Sequence, residues 1–356
     1  MASKRNIKTT KTTKLKSTSK RLPGGKLDID SKVFMLDVDR FADAFNYFIY
    51  GGEKVIDPAD LESMDTTAIA LPYGDNARAP IQKFRDILKK WVVKRPKNAV
   101  YAVCAIFGIE NQSEISYVMP PRNMLYDAIG YDEQIRNARK SYKNKRGLTR
   151  AERMSGFKKT DKLIPIVTLV IYFGADDWDA PRSLKEMFST QDERILQFVQ
   201  NYEINLIEPY KLSEEDLKTF TTDLGLALKF IKYSKDEEKL DKAVHEDKRY
   251  RSLERDAFDL MKDITNADIE PIMRGDKVDM CAALDAMRMK ERQAGRAEGI
   301  TVGIDQANER VARDMLLEKG QPFTIPMIAK ISKLSEDVIR GIAKSLGLDG
   351  LDFAVK

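Results

Sequence analysis

The sequence has very few of the side chains on which many enzymes depend. Its 356 residues include one histidine, His245, and two cysteines, Cys104 and Cys281, which lie far apart. A single histidine leaves little room for Ser-His-Asp, Cys-His or two-histidine metal chemistry. Two distant cysteines argue against a disulfide framework and against a cysteine-built zinc site. If the chain is an enzyme, its carboxylates must carry the chemistry.

Long apolar runs are also missing. No run approaches the ~18 residues that a membrane helix needs, and the first residues do not have the pattern of a cleavable signal. Hydrophobic residues make up 42% and charged residues 33% of the chain, which is typical of globular proteins with a well-charged surface. We therefore expect a cytoplasmic protein without a membrane span, and a length of 356 residues favours two domains.

The charge is unevenly distributed along the chain. The formal net charge is +5, but the first 26 residues contain nine basic side chains and no acid. This Lys-, Thr- and Ser-rich tail cannot bury enough apolar surface to offset its ordering entropy, so we expect it to be disordered. Two interpretations remain open: a basic arm that condenses on a polyanion in a salt-dependent way, and a solubilising extension.

The remaining chain predicts a mixed α/β core followed by a helical region. Residues 39–50 have apolar positions at helical spacing, and prolines 120 and 121 open a second probable helix. Residues 83–93 permit a strand or a short helix, and the apolar, Val/Ile-rich segments 99–109 and 163–173 are typical of buried strands. A further short strand is predicted at 202–207. From Ser213 onward the pattern is helical.

A carboxylate and an amide follow the first buried strand. Glu110 and Gln112 are two residues apart, so an extended chain directs both side chains to the same side. Folding residues 83–109 as a hairpin about a turn near residue 97 pairs Asp86 with about residue 108, within about one ladder step of Glu110. The sequence therefore predicts that two carboxylates and an amide converge at one end of the sheet.

Converging carboxylates repel each other unless a positive charge lies between them. Mg²⁺ suits such a site because it takes one or two protein carboxylates together with water and phosphate oxygens, and Mn²⁺ can substitute for it. Such a metal promotes attack of water on a phosphodiester, and Gln112 would orient the water or a phosphate oxygen. The alternative is that Asp86 and Glu110 pair with surface lysines such as Lys83 or Lys90 and have no catalytic role.

These features, in this order, resemble a known nuclease core. An Asp in one strand, a turn and an apolar strand ending in Glu-x-Gln is similar to the PD-(D/E)XK core in its Glu-x-Gln variant. More narrowly, the chain resembles the recombination-promoting nuclease (Rpn)/transposase family, also described as YhgA-like transposases, over about residues 35–235 and again at 275–303. The blocks that carry the likeness are DRFADAF (39–45), FRDIL (84–88), IENQS (109–113), MPPR (119–122) and the segment 164–174.

The resemblance implies a Mg²⁺-dependent DNA endonuclease whose metal ligands are Asp86 and Glu110. Gln112 stands where such nucleases usually have a lysine. An acidic residue of the first core helix often completes these sites, and we favour Asp43 over Asp39 for this role.

A second pair of residues is assigned from the same resemblance. Arg122 and Tyr126 lie one turn apart on the predicted second helix and match an Arg-x-x-x-Tyr pattern of the family, so we expect them to contact a phosphate. The alternative is a hydrogen-bonded pair on the helix surface.

The C-terminal half has two further patterns. Gly295, Gly299 and Gly303 recur every four residues, which fits a self-association seam, a packing groove or simply a weak helix. Residues 323–346 predict two short helices with Ser335 capping the second. Acids in its first turn would repel phosphates, so we interpret this pair as an interaction module rather than as a DNA reader.

Together these observations predict a PD-(D/E)XK-like mixed sheet flanked by helices. The expected limits are a basic tail at 1–30, a nuclease core at 31–235 and a helical C-terminal region at 236–356. The expected partner is DNA, with a nucleoid-associated location and homo-oligomerisation through the C-terminal helices. The alternative function is a catalytically inactive DNA-binding or oligomerising protein that retains the fold, or an adaptor that acts through its C-terminal helices.

Overall fold

The computed structural model describes residues 25–70, 81–84, 86–94, 101–265, 267–318 and 323–348. The basic tail at residues 1–24 and the predicted turn near residue 97 lie outside the described residues. The first helix begins at Lys26, so the last residues assigned to the predicted 1–30 tail are helical. Among the described residues, no helix combines the length and the apolar character that a bilayer crossing requires.

The secondary structure follows the predicted order. The helices are α1 (Lys26–Met35), α2 (Val38–Tyr50), α3 (Met119–Tyr142), α4 (Arg150–Ser155), α5 (Glu193–Leu196), α6 (Glu214–Thr219), α7 (Leu224–Tyr233), α8 (Glu237–Glu246), α9 (Arg255–Thr265), α10 (Met280–Leu317), α11 (Ile325–Ser332) and α12 (Glu336–Ser345). The strands are β1 (Leu61–Ser63), β2 (Thr67–Ala70), β3 (Ile81–Phe84), β4 (Ile87–Lys94), β5 (Tyr101–Gln112), β6 (Ile166–Tyr172), β7 (Asn205–Ile207), β8 (Met273–Arg274) and β9 (Lys277–Val278).

A mixed sheet with the strand order β1-β4-β5-β6-β7 forms the centre of the fold. Strands β1, β4 and β5 pair antiparallel, whereas β5, β6 and β7 pair parallel. The connection from β5 to the parallel strand β6 runs through α3, as a crossover between parallel strands requires. The predicted α/β class, with a helical C-terminal region, is therefore confirmed. Strand β1, the pair β2–β3 and helix α1 were not predicted, and the short pair β8–β9 interrupts the region that was predicted to be helical from Ser213 onward.

The two faces of β5 pack against different helices. Phe107 stacks on Phe45 of α2 with ring centroids 4.4 Å apart. Glu110, three residues further along the strand, points to the opposite face and meets Arg122 of α3. Helix α3 lies close to the sheet because Gly130 has no side chain: a Cβ there would come within 2.5 Å of Ile166. Gly130 therefore permits close packing of the middle of α3 on the start of β6.

The register of the hairpin differs from the predicted one. Lys94 pairs with Tyr101, and an irregularity between Trp91 and Val92 shifts the pairing by one further residue. The ladder ends at the pair of Ile87 with Ile109. Asp86 therefore lies one residue beyond that pair, beside Glu110, rather than opposite residue 108. The position of the turn and the irregularity each shift the pairing by one residue, so residue 86 lies beside residue 110 instead of two residues away from it.

Contacts divide the chain into two compact units, residues 1–281 and 282–356. Within the second unit, α11 and α12 pack together with the end of α10 around a small apolar core. Its fully buried members are Ala312, Ile328 and Ile339. Ser335 caps α12 by accepting a hydrogen bond from the Val338 N–H, as predicted. The domain limits at residues 30 and 235 stay predictions.

The glycine repeat lies within the continuous helix α10. A Cβ built on Gly295, Gly299 or Gly303 would have no atom of the described chain within 4 Å. The glycines therefore do not form a packing groove with another described segment. Open space around them leaves a weak helix or a seam for a second copy as the remaining interpretations.

These two interpretations predict opposite effects of alanine at position 299. We expect Gly299→Ala to stabilise α10 by roughly 0.5 to 1 kcal/mol, because alanine has the higher helix propensity and meets no neighbour. Helicity by circular dichroism on heating, with the mass of wild type and variant measured by light scattering, checks this. A variant that lost a dimer formed by the wild type would instead identify a self-association seam.

Candidate functional site

The end of β5 and the start of β4 bring Asp86 and Glu110 together. The backbone N–H of Asn111, the residue after Glu110, donates a 2.8 Å hydrogen bond to Oδ2 of Asp86. The side chain of Glu110 is fully buried on the α3 side of the sheet. Burial raises the pKa of the Asp86 carboxyl above its ordinary value, and the Asn111 N–H acts in the opposite direction. Two acids thus share one end of the central hairpin.

Arg122 in the first turn of α3 is the cation nearest to Glu110. Its Nη2 lies 3.2 Å from Oε2 of Glu110. Its Nε donates a 3.2 Å hydrogen bond to the hydroxyl of Tyr126, one turn further along α3. Burial opposes the charge on Arg122, but the carboxylate of Glu110 and the Tyr126 hydroxyl raise its pKa. The charge of Asp86 acts on Arg122 in the same direction, so the guanidinium lies in the field of both acids.

Lys32 of α1 is a site residue that the sequence did not predict. Its Nζ lies 3.1 Å from Oδ1 of Asp86 and 3.1 Å from Oδ2 of Asp28. Burial lowers and the two aspartates raise the pKa of Lys32, with a net rise. In the sequence, Lys32 closely follows the basic tail, and its one local feature is Asp28, four residues earlier on the same helix face. This spacing does not indicate a contact between Lys32 and Asp86.

Gln112 lies next to this cluster on β5, on the same face as Glu110. Its side-chain Nε2 donates a 3.0 Å hydrogen bond to the carbonyl of Asn111, and the side chain is half-buried. Because an amide carries no charge, Gln112 contributes hydrogen bonds but no electrostatic stabilisation. In this site the positive charges come from the two helices, Lys32 on α1 and Arg122 on α3.

The structure places Asp43 away from this cluster. Its carboxylate accepts hydrogen bonds from the backbone N–H and the hydroxyl of both Thr221 and Thr222, at 2.6 to 3.3 Å. With Asp39 it lines a separate cavity of about 270 Å³ between α2 and the loop before α7. Asp43 therefore joins α2 to that loop, and we do not include it or Asp39 in a ligand set with Asp86 and Glu110.

The non-catalytic alternative predicts that Asp86 and Glu110 pair with lysines such as Lys83 or Lys90. In the structure these two acids have other partners. Lys90 pairs with Glu62 across β4 and β1, at 3.0 Å, and the side chain of Lys83 lies outside the described set. Asp86 and Glu110 do meet cations, but these are Lys32 and Arg122. These two acids and two cations together have no formal net charge.

The donor chemistry of this cluster fits a hard divalent cation. Two carboxylates are the number that Mg²⁺ commonly takes from a protein, and oxygen donors exclude a preference for soft metals. Within the part of the chain that the structure describes, no three His, Cys, Asp or Glu side chains form a ready ligand group. A metal here would rely on Asp86 and Glu110 with water, and it would compete with the ammonium of Lys32, which is 42% exposed.

Comparison with known protein families adds an independent observation. Residues 109–256 match the family described as "Putative transposase, YhgA-like". We call residues 109–256 the YhgA-like region because of this similarity. The family resemblance predicted from the sequence is confirmed over this range. No curated protein and no solved structure matches the chain significantly.

The YhgA-like region begins at the end of β5 and extends to the start of α9. It includes Glu110, Gln112, Arg122 and Tyr126, whereas Asp86 and Lys32 precede it. The blocks around residues 39–45 and 84–88, and the C-terminal likeness at 275–303, also lie outside it. The match relates this part of the chain to transposases, and it contains one side of the candidate site.

Proposed function

We propose that the protein is a Mg²⁺-dependent DNA endonuclease that hydrolyses phosphodiesters at Asp86 and Glu110. One observation supports the proposal: Asp86 accepts the backbone N–H of the residue that follows Glu110, and Arg122 of the YhgA-like region pairs with Glu110 and lies in the field of Asp86. Mg²⁺ or Mn²⁺ bound there would supply positive charge to a phosphodiester and activate water. The family relationship to transposases supports DNA as the substrate.

The residues of the chain have distinct roles in this proposal. Asp86 and Glu110 would hold the cation, and their burial would strengthen the electrostatic interaction because little water screens it. Arg122, 37% exposed, has an accessible guanidinium that Tyr126 orients, and such a planar fork binds phosphate oxygens well. Gln112 positions water or a phosphate oxygen by hydrogen bonding. Lys32 pairs with Oδ1 of Asp86 and would compete with a cation for this carboxylate.

A plasmid-nicking assay tests the proposal. Supercoiled DNA incubated with the purified full chain should be nicked in Mg²⁺ and remain intact in EDTA. We expect Asp86→Asn and Glu110→Gln each to lower the nicking rate by at least about 100-fold, a loss of about 3 kcal/mol of transition-state stabilisation.

Asp43→Asn is the matched control for this assay. It makes the same chemical change as Asp86→Asn at a buried carboxylate that is bonded to Thr221 and Thr222 instead. Its nicking rate per folded molecule should stay within a few-fold of wild type. Equal nicking by wild type and both site variants would contradict the proposal.

The second candidate function is a DNA-binding protein without catalysis. The observation that favours it is the neutralised cluster itself: Lys32 and Arg122 already balance Asp86 and Glu110, as expected for acids with a structural role. In that case the full chain would bind DNA in a salt-dependent way, and neither Mg²⁺ nor substitution at Asp86 would change the state of the plasmid.

A further inference from the structure

A strongly basic surface lies on α3, at the end remote from the candidate site. Residues 136–162 cover the last turns of α3, a loop, α4 and the segment that follows it. They contain eleven basic and two acidic side chains, a net charge of +9. Without this segment and the first 26 residues, the chain has 41 basic and 54 acidic side chains. We call residues 136–162 the α3–α4 basic surface.

The two acids of this surface do not neutralise it. Glu152 accepts hydrogen bonds from the backbone N–H groups of Thr149 and Lys159, and Asp161 from the N–H of Lys158 and the hydroxyl of Tyr142. Backbone hydrogen bonds, the largest cause in each case, hold the pKa of both carboxyls below their ordinary values. Both carboxylates are thus bonded to local N–H and hydroxyl groups, and among the described residues neither forms an ion pair within 4.0 Å with a cation of this surface.

Most of the basic side chains are available to a ligand. Among the described residues, ion pairs within 4.0 Å engage only Arg136 of the eleven cations, through Asp132. Nine of the eleven are exposed. Such a density of unneutralised charge repels itself, so the fold retains it at a cost in stability. A polyanion would remove that cost.

The surface surrounds a cavity of about 530 Å³ between α3 and α4. Tyr142, Leu148 and Gly156 line its interior together with the bound carboxylate of Glu152. Five cations form the remaining lining: Arg136, Arg139, Lys140, Lys143 and Arg153. The concave shape and the ring of cations allow contacts with several successive phosphates. A flat surface would suit such a chain of phosphates less well.

Arg139 is held in place at this cavity. Its Nη2 donates a 3.0 Å hydrogen bond to the carbonyl of Ser155, which fixes the guanidinium. Gly156 has a left-handed backbone with φ of +70°, and a Cβ there would come within 2.5 Å of Nε of Arg139. The turn that ends α4 therefore leaves room for this arginine. A pre-positioned guanidinium loses little conformational entropy when it binds an anion.

The cavity fits a nucleic-acid backbone rather than unpaired bases. Proteins that bind single strands present aromatic rings on which the bases stack. Here the ammonium groups of Lys145 and Lys158 lie over the ring of Tyr142, at 5.1 and 4.8 Å from its centroid. The ring therefore already has cations as partners. A duplex, with one charge per about 1.7 Å of its axis, matches a dense basic surface better than a single strand does.

We propose that the α3–α4 basic surface binds the backbone of duplex DNA at a distance from the candidate site. The choice of DNA over RNA rests on the proposed nuclease function. Arg122 and Arg139 are 17 residues apart on one helix, or about 26 Å at 1.5 Å per residue. At about 3.4 Å per base pair, this corresponds to about eight base pairs of duplex between the two contacts.

A binding assay without cleavage tests this surface. The full chain in EDTA is titrated into a fluorescent duplex of about 24 base pairs over a range of salt concentrations. The variant replaces Lys140, Lys143 and Arg153 by glutamine, which leaves the anchored Arg139 and the local hydrogen bonds intact. Loss of three phosphate contacts should lower the slope of log affinity against log salt by roughly 2.7. Affinity at 0.1 M salt should fall at least tenfold.

The matched control carries the same charge change elsewhere. Lys218, Lys330 and Lys344 are exposed, and within the described chain no ion pair within 4.0 Å engages them; their replacement by glutamine should change affinity by less than about threefold. Equal losses in both triple variants, with both folded by circular dichroism, would overturn the proposal. Tighter, equally surface-dependent binding of an RNA hairpin would overturn the assignment to DNA. Because the readout is binding, it is independent of plasmid nicking.

Discussion

Replacing Arg40 by leucine is expected to destabilise the first unit by about 3 to 5 kcal/mol. The guanidinium is only 4% exposed and bonds both Asp223, before α7, and Asp256, in α9. It also donates to the carbonyl of Phe34. Without this side chain, Asp223 and Asp256 lose their shared cation. The ion pairs that connect α2 to the start of α7 and to α9 are then lost.

Urea unfolding followed by tryptophan fluorescence measures this effect. Both tryptophans of the sequence, Trp91 and Trp178, lie in the first unit, so the signal reports that unit alone. The urea midpoint of Arg40→Lys should lie between those of wild type and Arg40→Leu, because lysine keeps the positive charge but cannot make the bidentate contacts of a guanidinium. Arg194→Leu is the matched control. Arg194 also pairs with an aspartate, Asp192, but its side chain is 88% exposed, so this substitution should not measurably change the urea midpoint. Equal midpoints for Arg40→Leu and wild type would contradict the account.

Replacing Arg122 by methionine is expected to destabilise the protein by about 3 kcal/mol at pH 8. The fully buried carboxylate of Glu110 would lose the guanidinium 3.2 Å away, and a buried charge without its cation is costly.

A double-mutant cycle assigns this effect to the pair. Glu110→Gln removes the charge, so adding it to Arg122→Met should restore most of the lost stability. The measurement is the urea midpoint by tryptophan fluorescence at pH 8. A loss that is additive with that of Glu110→Gln would mean that Arg122 acts through packing instead.

Local patterns were enough to predict most of the central fold. The apolar runs around β5 and β6 and the prolines that open α3 placed the core elements, because burial and helix initiation leave direct marks in a sequence. The short strand β1 was missed since three residues with little burial carry no periodicity. The pair β2–β3 was missed because each strand has four residues, which is too short to show a clear alternation of apolar and polar positions.

The candidate site depends on features that a local pattern does not contain. The convergence of Asp86 and Glu110 followed from the hairpin, but its exact register depends on an irregularity between Trp91 and Val92. No residue type marks this irregularity in advance. One added residue shifts every pair beyond it, so a prediction by symmetry about the turn fails by that amount.

Contacts between distant segments were the least predictable part. Asp43 bonds a loop about 180 residues away, and Arg40 bonds Asp223 and Asp256 at similar separations. An acid on a core helix was assigned to the metal by family resemblance, although its partners prove to be threonines. Lys32 reaches Asp86 from a helix next to the tail, and no local pattern indicates that contact.

The central claim is that Asp86 and Glu110 hold a divalent cation in competition with Lys32. Titration of the metal-stripped full chain with Mn²⁺, followed by electron paramagnetic resonance, tests it directly. We expect one site in the wild type, tighter binding in Lys32→Met because the competing ammonium is gone, and loss of the site in Glu110→Gln. Identical Mn²⁺ binding in wild type and Glu110→Gln, or binding in neither wild type nor Lys32→Met, would contradict the account.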